Sequence, residues 1–114
     1  MKAILNIGRG IERNGQRVRV MSVAEVVAAL EKRVGEIISI HAHQSASEPT
    51  LVVVMDAVTE AAAAAAVREL CADLEQDAIA YTLDGKGHMD GPRAAAWGPF
   101  NPAYFINPDG TSAA

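Results

Sequence analysis

His41 and His43 are the residues whose type and spacing point most directly to chemistry. They alternate in Ile40-His41-Ala42-His43, and residues two apart on an extended chain share a face. Two imidazoles side by side could hold one metal ion through neutral ring nitrogens. Such a site needs a third ligand, and Asp56, His88 and Asp90 are the candidates. A small metal-dependent or acid/base enzyme would use the same set, His41, His43 and His88. The competing reading, two solvent-facing histidines near the end of a strand, asks nothing of the rest of the chain and is preferred.

The remaining chemical candidates are weaker. Gly8-Arg9-Gly10 resembles a fragment of a phosphate-binding loop, but it leads into a hairpin and not into a helix N-terminus. Gly85-Lys86-Gly87-His88 reads as a turn between strands. No Gly-x-x-x-x-Gly-Lys-Ser/Thr loop and no Gly-x-Ser-x-Gly elbow occurs. No cofactor is expected. Cys71 is the only cysteine, which excludes an internal disulfide framework and a multi-cysteine zinc site. It falls beside Leu70 and Leu74, with no basic cluster to stabilise a thiolate, so it reads as a small buried hydrophobe.

Arg9, Arg13, Arg17 and Arg19 place four of the ten basic residues in one hairpin. Arginines along a β-ribbon can contact phosphates, which makes Arg13, Arg17 and Arg19 the candidates for a nucleic-acid contact. Two features oppose it. The hairpin has no aromatic ring for base stacking, and the net charge is −4 with a pI near 5.2, against phosphate neutralisation. A charged edge that discourages strand-to-strand aggregation is the preferred reading. Nucleic acid is not an expected partner.

The aromatic residues are the most unevenly distributed. Four of five, Trp97, Phe100, Tyr104 and Phe105, fall within Trp-Gly-Pro-Phe-Asn-Pro-Ala-Tyr-Phe, with prolines at 92, 99, 102 and 108. Proline pre-orders such a segment and lowers the entropy cost of docking it. These rings either cover a sheet face and complete the core or anchor a protein partner, and the two roles can share residues. Asn101 before Pro102 is suited to cap one short helical turn.

The elements that must position these residues follow from periodicity. Residues 2–8 read as a central strand, with Ile4, Leu5 and Ile7 apolar on both faces. Asn14-Gly15 between residues 11–13 and 16–20 predicts a type I′ hairpin. Ser22 and Glu25 form a capping box. It opens a helix with an apolar stripe at Val23, Val26, Val27, Leu30 and Val34, stopped by Gly35. Residues 36–44 return to strand, with Ile38, Ile40 and Ala42 on one face and Ile37, Ser39, His41 and His43 on the other. A polar turn at 44–49 joins it to an apolar interior strand at 50–57. Thr59-Glu60 starts a second helix through about Leu74, beginning with six alanines whose small face suits close packing on a sheet. Residues 77–83 form the last regular strand, and His88-Met89-Asp90 pairs back briefly after the turn at Asp84-Gly85.

This order predicts an α+β fold of the ferredoxin-like, split βαβ type. A four-stranded antiparallel sheet carries two helices on one face, with an N-terminal β-hairpin extension and an aromatic C-terminal tail. The open face of the sheet must be solvated, covered by the tail, or buried in a dimer. A length of 114 residues, 50% hydrophobic, fits one domain with its own core, spanning residues 1–108, with 109–114 expected to fray. No run of about 18 apolar residues is present, so no membrane span is expected. Met1-Lys2 leads directly into strand, with no signal-peptide pattern.

Three stretches carry a resemblance: His43-Gln-Ser-Ala-Ser-Glu-Pro-Thr-Leu-Val-Val-Val54, Leu74-Glu-Gln-Asp-Ala-Ile-Ala80 and Gly91-Pro-Arg-Ala-Ala-Ala-Trp-Gly-Pro-Phe-Asn-Pro102. They resemble small proteins of bacteriophage and prophage gene clusters, over about half the chain and not including the first hairpin. The resemblance implies a bacterial, phage-associated setting and a cytoplasmic location in the host. It transfers no catalytic residue, because those proteins have no assigned activity. The expected function is non-enzymatic: binding of a protein partner or self-association as a homodimer, anchored by Trp97, Phe100, Tyr104 and Phe105.

Overall fold

The computed structural model describes residues 1–33, 36–44, 48–57 and 59–114. Val34 and Gly35, read as the end of the first helix's stripe and its stop, lie outside that set. So do residues 45–47 of the polar turn.

The chain runs β1 (Lys2–Gly8), β2 (Gly10–Arg13), β3 (Gln16–Val20), α1 (Val23–Glu31), β4 (Ile37–Gln44), β5 (Pro49–Asp56), α2 (Glu60–Asp73), β6 (Ile79–Leu83), β7 (Lys86–Asp90) and α3 (Ala94–Trp97), then a 3-10 turn at Pro102–Tyr104. The fold is α+β, with an antiparallel sheet in the order β4-β5-β1-β6-β7 and, among the described residues, three α-helices. β2 and β3 form a separate two-stranded ribbon.

The sheet has five strands where four are expected. The reason is the turn after β6. Asp84 and Gly85 both adopt positive φ, 47° and 86°, which matches the twist of a two-residue hairpin. Residues 86–90 are therefore carried back into full register, from Leu83 opposite Lys86 to Ile79 opposite Asp90. The same backbone at Asn14 and Gly15, φ 54° and 76°, closes the β2–β3 ribbon as predicted.

β1 is central, paired with β5 on one side and β6 on the other. Ala3, Leu5 and Ile7 join Leu51, Val53 and Met55 of β5 and Ile79, Tyr81 and Leu83 of β6 in one buried layer. Val26, Ala29 and Leu30 of α1 and Ala63, Val67, Leu70 and Cys71 of α2 belong to the same cluster. Both helix starts are capped as the sequence indicates. The Ser22 and Glu25 side chains cap reciprocally, and Thr59 accepts from the Ala62 amide at 3.0 Å. The buried side of α1 is rotated from the expected stripe. Val23 is exposed and Ala29 is buried, because the first turn emerges beside the ribbon and only later turns lie on the sheet.

The reading of strand faces in β4 changes. A bulge in β4 lies between Ile37, opposite Met55, and Ser39, opposite Val54. It brings Ile37 onto the helix-packed side with Ile40, and both rest against the core. Ile38 is displaced from that side and is 59% exposed, because a bulge sets two residues against one and shifts the alternation. In β3 all five residues are exposed, since the ribbon stands away from the main sheet. Its anchors are Ile11 and Met21, both buried.

Candidate partner interface

The second face of the sheet is covered by the chain's own C-terminal segment. Asn6, the one polar residue within the apolar run of β1, fixes the crossing. Its Nδ2 donates to the Ile106 carbonyl at 3.0 Å, and its Oδ1 accepts from the Ile106 amide at 2.8 Å. Toward the β7 edge, Phe100 lies flat on Gly87, where any Cβ would overlap the ring. Phe100 and Phe105 pack together with centroids 5.2 Å apart. Toward the β4 edge, His43 Nε2 lies 2.8 Å from the Pro108 carbonyl, so the ring donates with its proton on that nitrogen. Gly110 passes beside the same imidazole. The segment therefore runs as a strap from β7 across β1 to β4.

The strap closes on itself. Ile106 bridges Ser112, the Gly110 amide donates to Asn107, and the Ala113 amide donates to Phe105. The Asp109 carboxylate accepts from the amide and hydroxyl of Thr111, at 3.0 and 2.6 Å, which lowers its pKa. Residues 109–114, expected to fray, thus take part in a closed turn.

The four tail aromatics separate into two pairs. Phe105 is buried at 2% exposure and Phe100 is half-buried, while Trp97 is 64% and Tyr104 84% exposed. Trp97 closes α3, which is held at its start by the Arg93 amide donating to Asp77 and the Ala94 amide to Gly91. Tyr104 ends the 3-10 turn that Asn101 caps through the Ala103 amide, at 3.0 Å. A groove of about 280 Å³ lies beside it, lined by His43, Gln44, Tyr104, Phe105 and Ile106, among others.

The histidines do not converge. His41 and His43 sit on β4 at one edge of the sheet, and His88 on β7 at the other, four strand spacings or about 19 Å away. His41 Nε2 is 3.0 Å from Ser39 Oγ, and His88 stacks on Tyr81 with centroids 5.2 Å apart. Asp90 is committed to the Tyr81 hydroxyl. Asp56 pairs with the N-terminal ammonium at 3.2 Å. Among the described residues, no group of three or more His, Cys, Asp or Glu is arranged to hold a metal ion.

Cys71 is buried and its thiol donates to the Asp90 carbonyl over 3.8 Å. Burial first, then the nearby Asp90 and Asp77 charges, push its pKa up to about 11. Burial and the Asp90 hydrogen bond likewise raise the Tyr81 hydroxyl. Neither group is activated for catalysis near neutral pH.

The hairpin arginines face carboxylates of the same chain. Arg13 pairs with Glu75 at 2.9 Å and Arg19 with Glu25 at 2.8 Å. Arg17 acts electrostatically on Glu48, whose pKa burial raises. Arg9 donates to the Met21 carbonyl at 3.1 Å. A phosphate would have to displace these carboxylates.

Sequence reasoning missed Asn6, Gly87 and Ile38. The signal for Asn6 was available, a lone amide inside Ile4-Leu5-Asn6-Ile7. Gly87 carried none, since its role depends on a ring thirteen positions away. Comparison of the chain with protein-family models, with curated proteins and with solved structures finds no match. Among the described residues no helix is long and apolar enough to cross a membrane.

Proposed function

We propose that this chain is a non-enzymatic binding module that engages a protein partner or a second copy of itself through its strapped face. One observation carries the reading: the split of the tail aromatics. Phe100 and Phe105 face the sheet and hold the strap, while Trp97 and Tyr104 face out at 64% and 84% exposure. Large rings left in water cost solvation, and Trp and Tyr are the residues that most often anchor protein interfaces. Trp97 is presented on α3, held through the Arg93 amide, and Tyr104 on the 3-10 turn capped by Asn101, so little ordering is needed on binding.

The order β4-β5-β1-β6 with α1 and α2 on one face supports a ferredoxin-like core, to which β7, the ribbon and the strap are additions. A phage or prophage origin, and a cytoplasmic setting in a bacterial host, belong to the same proposal and rest on the tail and loop resemblance. The enzyme reading is less favoured, because His41 and His43 are about 19 Å from His88 across the sheet.

The test uses the full chain as bait in bacterial lysate, alongside Trp97→Ala/Tyr104→Ala shown by circular dichroism to be folded. Proteins retained by the native chain and lost by the variant support the module. Equal retention by both contradicts it.

A further inference from the structure

The main sheet ends at β4 on one side and β7 on the other. β7 carries Lys86 and Asp90 at its ends and has Phe100 seated on Gly87. The outer strand of the ribbon, β3, carries Arg17 and Arg19. Charges of this kind blunt a strand edge against pairing. β4 is different. Its eight residues, Ile-Ile-Ser-Ile-His-Ala-His-Gln, hold no Lys, Arg, Asp, Glu or Pro, and among the described residues no strand pairs with its outer side. Among the described residues, the bulge at the Ile37 end is its one protective device. On a chain of net charge −4, this edge lets two copies meet without apposing formal charges.

Antiparallel pairing of a strand with its own copy satisfies a two-fold axis. Directly opposed residues share a face, so an axis normal to the sheet keeps strapped face beside strapped face. The same axis brings the Ile38 end of each β4 to the Gln44 end of the other. Ile38 is 59% exposed. At the Gln44 end lies the groove of about 280 Å³ bordered by His43, Gln44 and Tyr104, with Tyr104 itself 84% exposed. Each copy therefore offers an apolar knob and a groove at opposite ends of one strand, as an isologous contact requires.

We propose that a second copy of this chain pairs antiparallel along the outer edge of β4, with Ile38 of each copy seated at the His43–Gln44–Tyr104 groove of the other, which rests on the self-association branch of the function proposed above. The product is one continuous ten-stranded sheet with the two straps on the same side.

The test is sedimentation velocity of the purified full chain over a concentration series, for wild type, Ile38→Lys and Lys86→Gln on the opposite sheet edge, each checked by circular dichroism. Ile38 contributes little to the monomer's core, so its lysine variant is expected to stay folded. If it does not, His41→Lys on the same strand takes its place. The wild type is expected to dimerise. Ile38→Lys should weaken the dimer by on the order of tenfold or more, and Lys86→Gln should leave it unchanged. A wild type that stays monomeric overturns the dimer, while capture of other proteins from lysate still decides the binding-module reading. A dimer indifferent to the β4 lysine, or one lost only with Lys86→Gln, overturns the β4 contact.

Discussion

At the residue scale, Asn6 holds the strap. One amide satisfies both backbone groups of Ile106 (3.0 and 2.8 Å) and does so from within the apolar run Ile4-Leu5-Asn6-Ile7. Asn6→Ala removes both bonds and leaves a partly buried amide and carbonyl to find water. The expected cost is about 1–3 kcal/mol, read by urea denaturation, and a cost near zero would mean that the strap is held by its rings alone. Gly87 is the complementary case. Gly87→Ala places a methyl group where Phe100 lies, so the ring must leave the sheet. The expected result is a lower melting temperature together with altered near-ultraviolet circular dichroism from the displaced ring. The chemistry of His41 and His43 was legible as a pair on one strand face, but whether a third ligand joined them depended on strand order, which no local pattern encodes.

At the element scale, the helix starts, the two Asn-Gly and Asp-Gly turns and the interior position of β5 were readable because each is set by local rules: side-chain caps, positive φ and a continuous apolar run. The bulge in β4 and the length of β7 were not. A bulge is a mismatch between two strands, and Ile37-Ile38-Ser39-Ile40 looks equally regular in either register. The start of α1 carries a pH prediction. The Arg19 hydrogen bond, reinforced by the Ser22 backbone amide, holds the Glu25 carboxyl down to about 2. A carboxylate depressed in the folded state stabilises it above the unfolded value, near 4.3, and loses that contribution as pH falls toward 2. Helix stability should therefore decline over that interval, and Glu25→Gln should flatten the decline between pH 4.5 and 2 in acid titration followed by circular dichroism. A profile identical to wild type would remove Glu25 from the account. Ser22→Ala, which loses the other half of the cap, is expected to cost about 1 kcal/mol in denaturant melts.

At the scale of the whole molecule, the tail is both core and surface. The sequence correctly located the four rings and left open whether they finish the core or meet a partner. The fold divides them, because a strap crossing a sheet presents alternate sides to the strands and to water. That division is legible only when the strap's path is known, since Phe100, Tyr104 and Phe105 have no simple strand or helix period. Thermal unfolding and lysate capture measured on the same four single variants test it most directly. Phe100→Ala and Phe105→Ala should lower the melting temperature, with Phe105 costing the most, about 3–5 kcal/mol as for other buried aromatic truncations. Trp97→Ala and Tyr104→Ala should melt with the wild type and lose the captured proteins. Four variants that destabilise alike, or exposed-ring variants that keep full capture, would contradict the account.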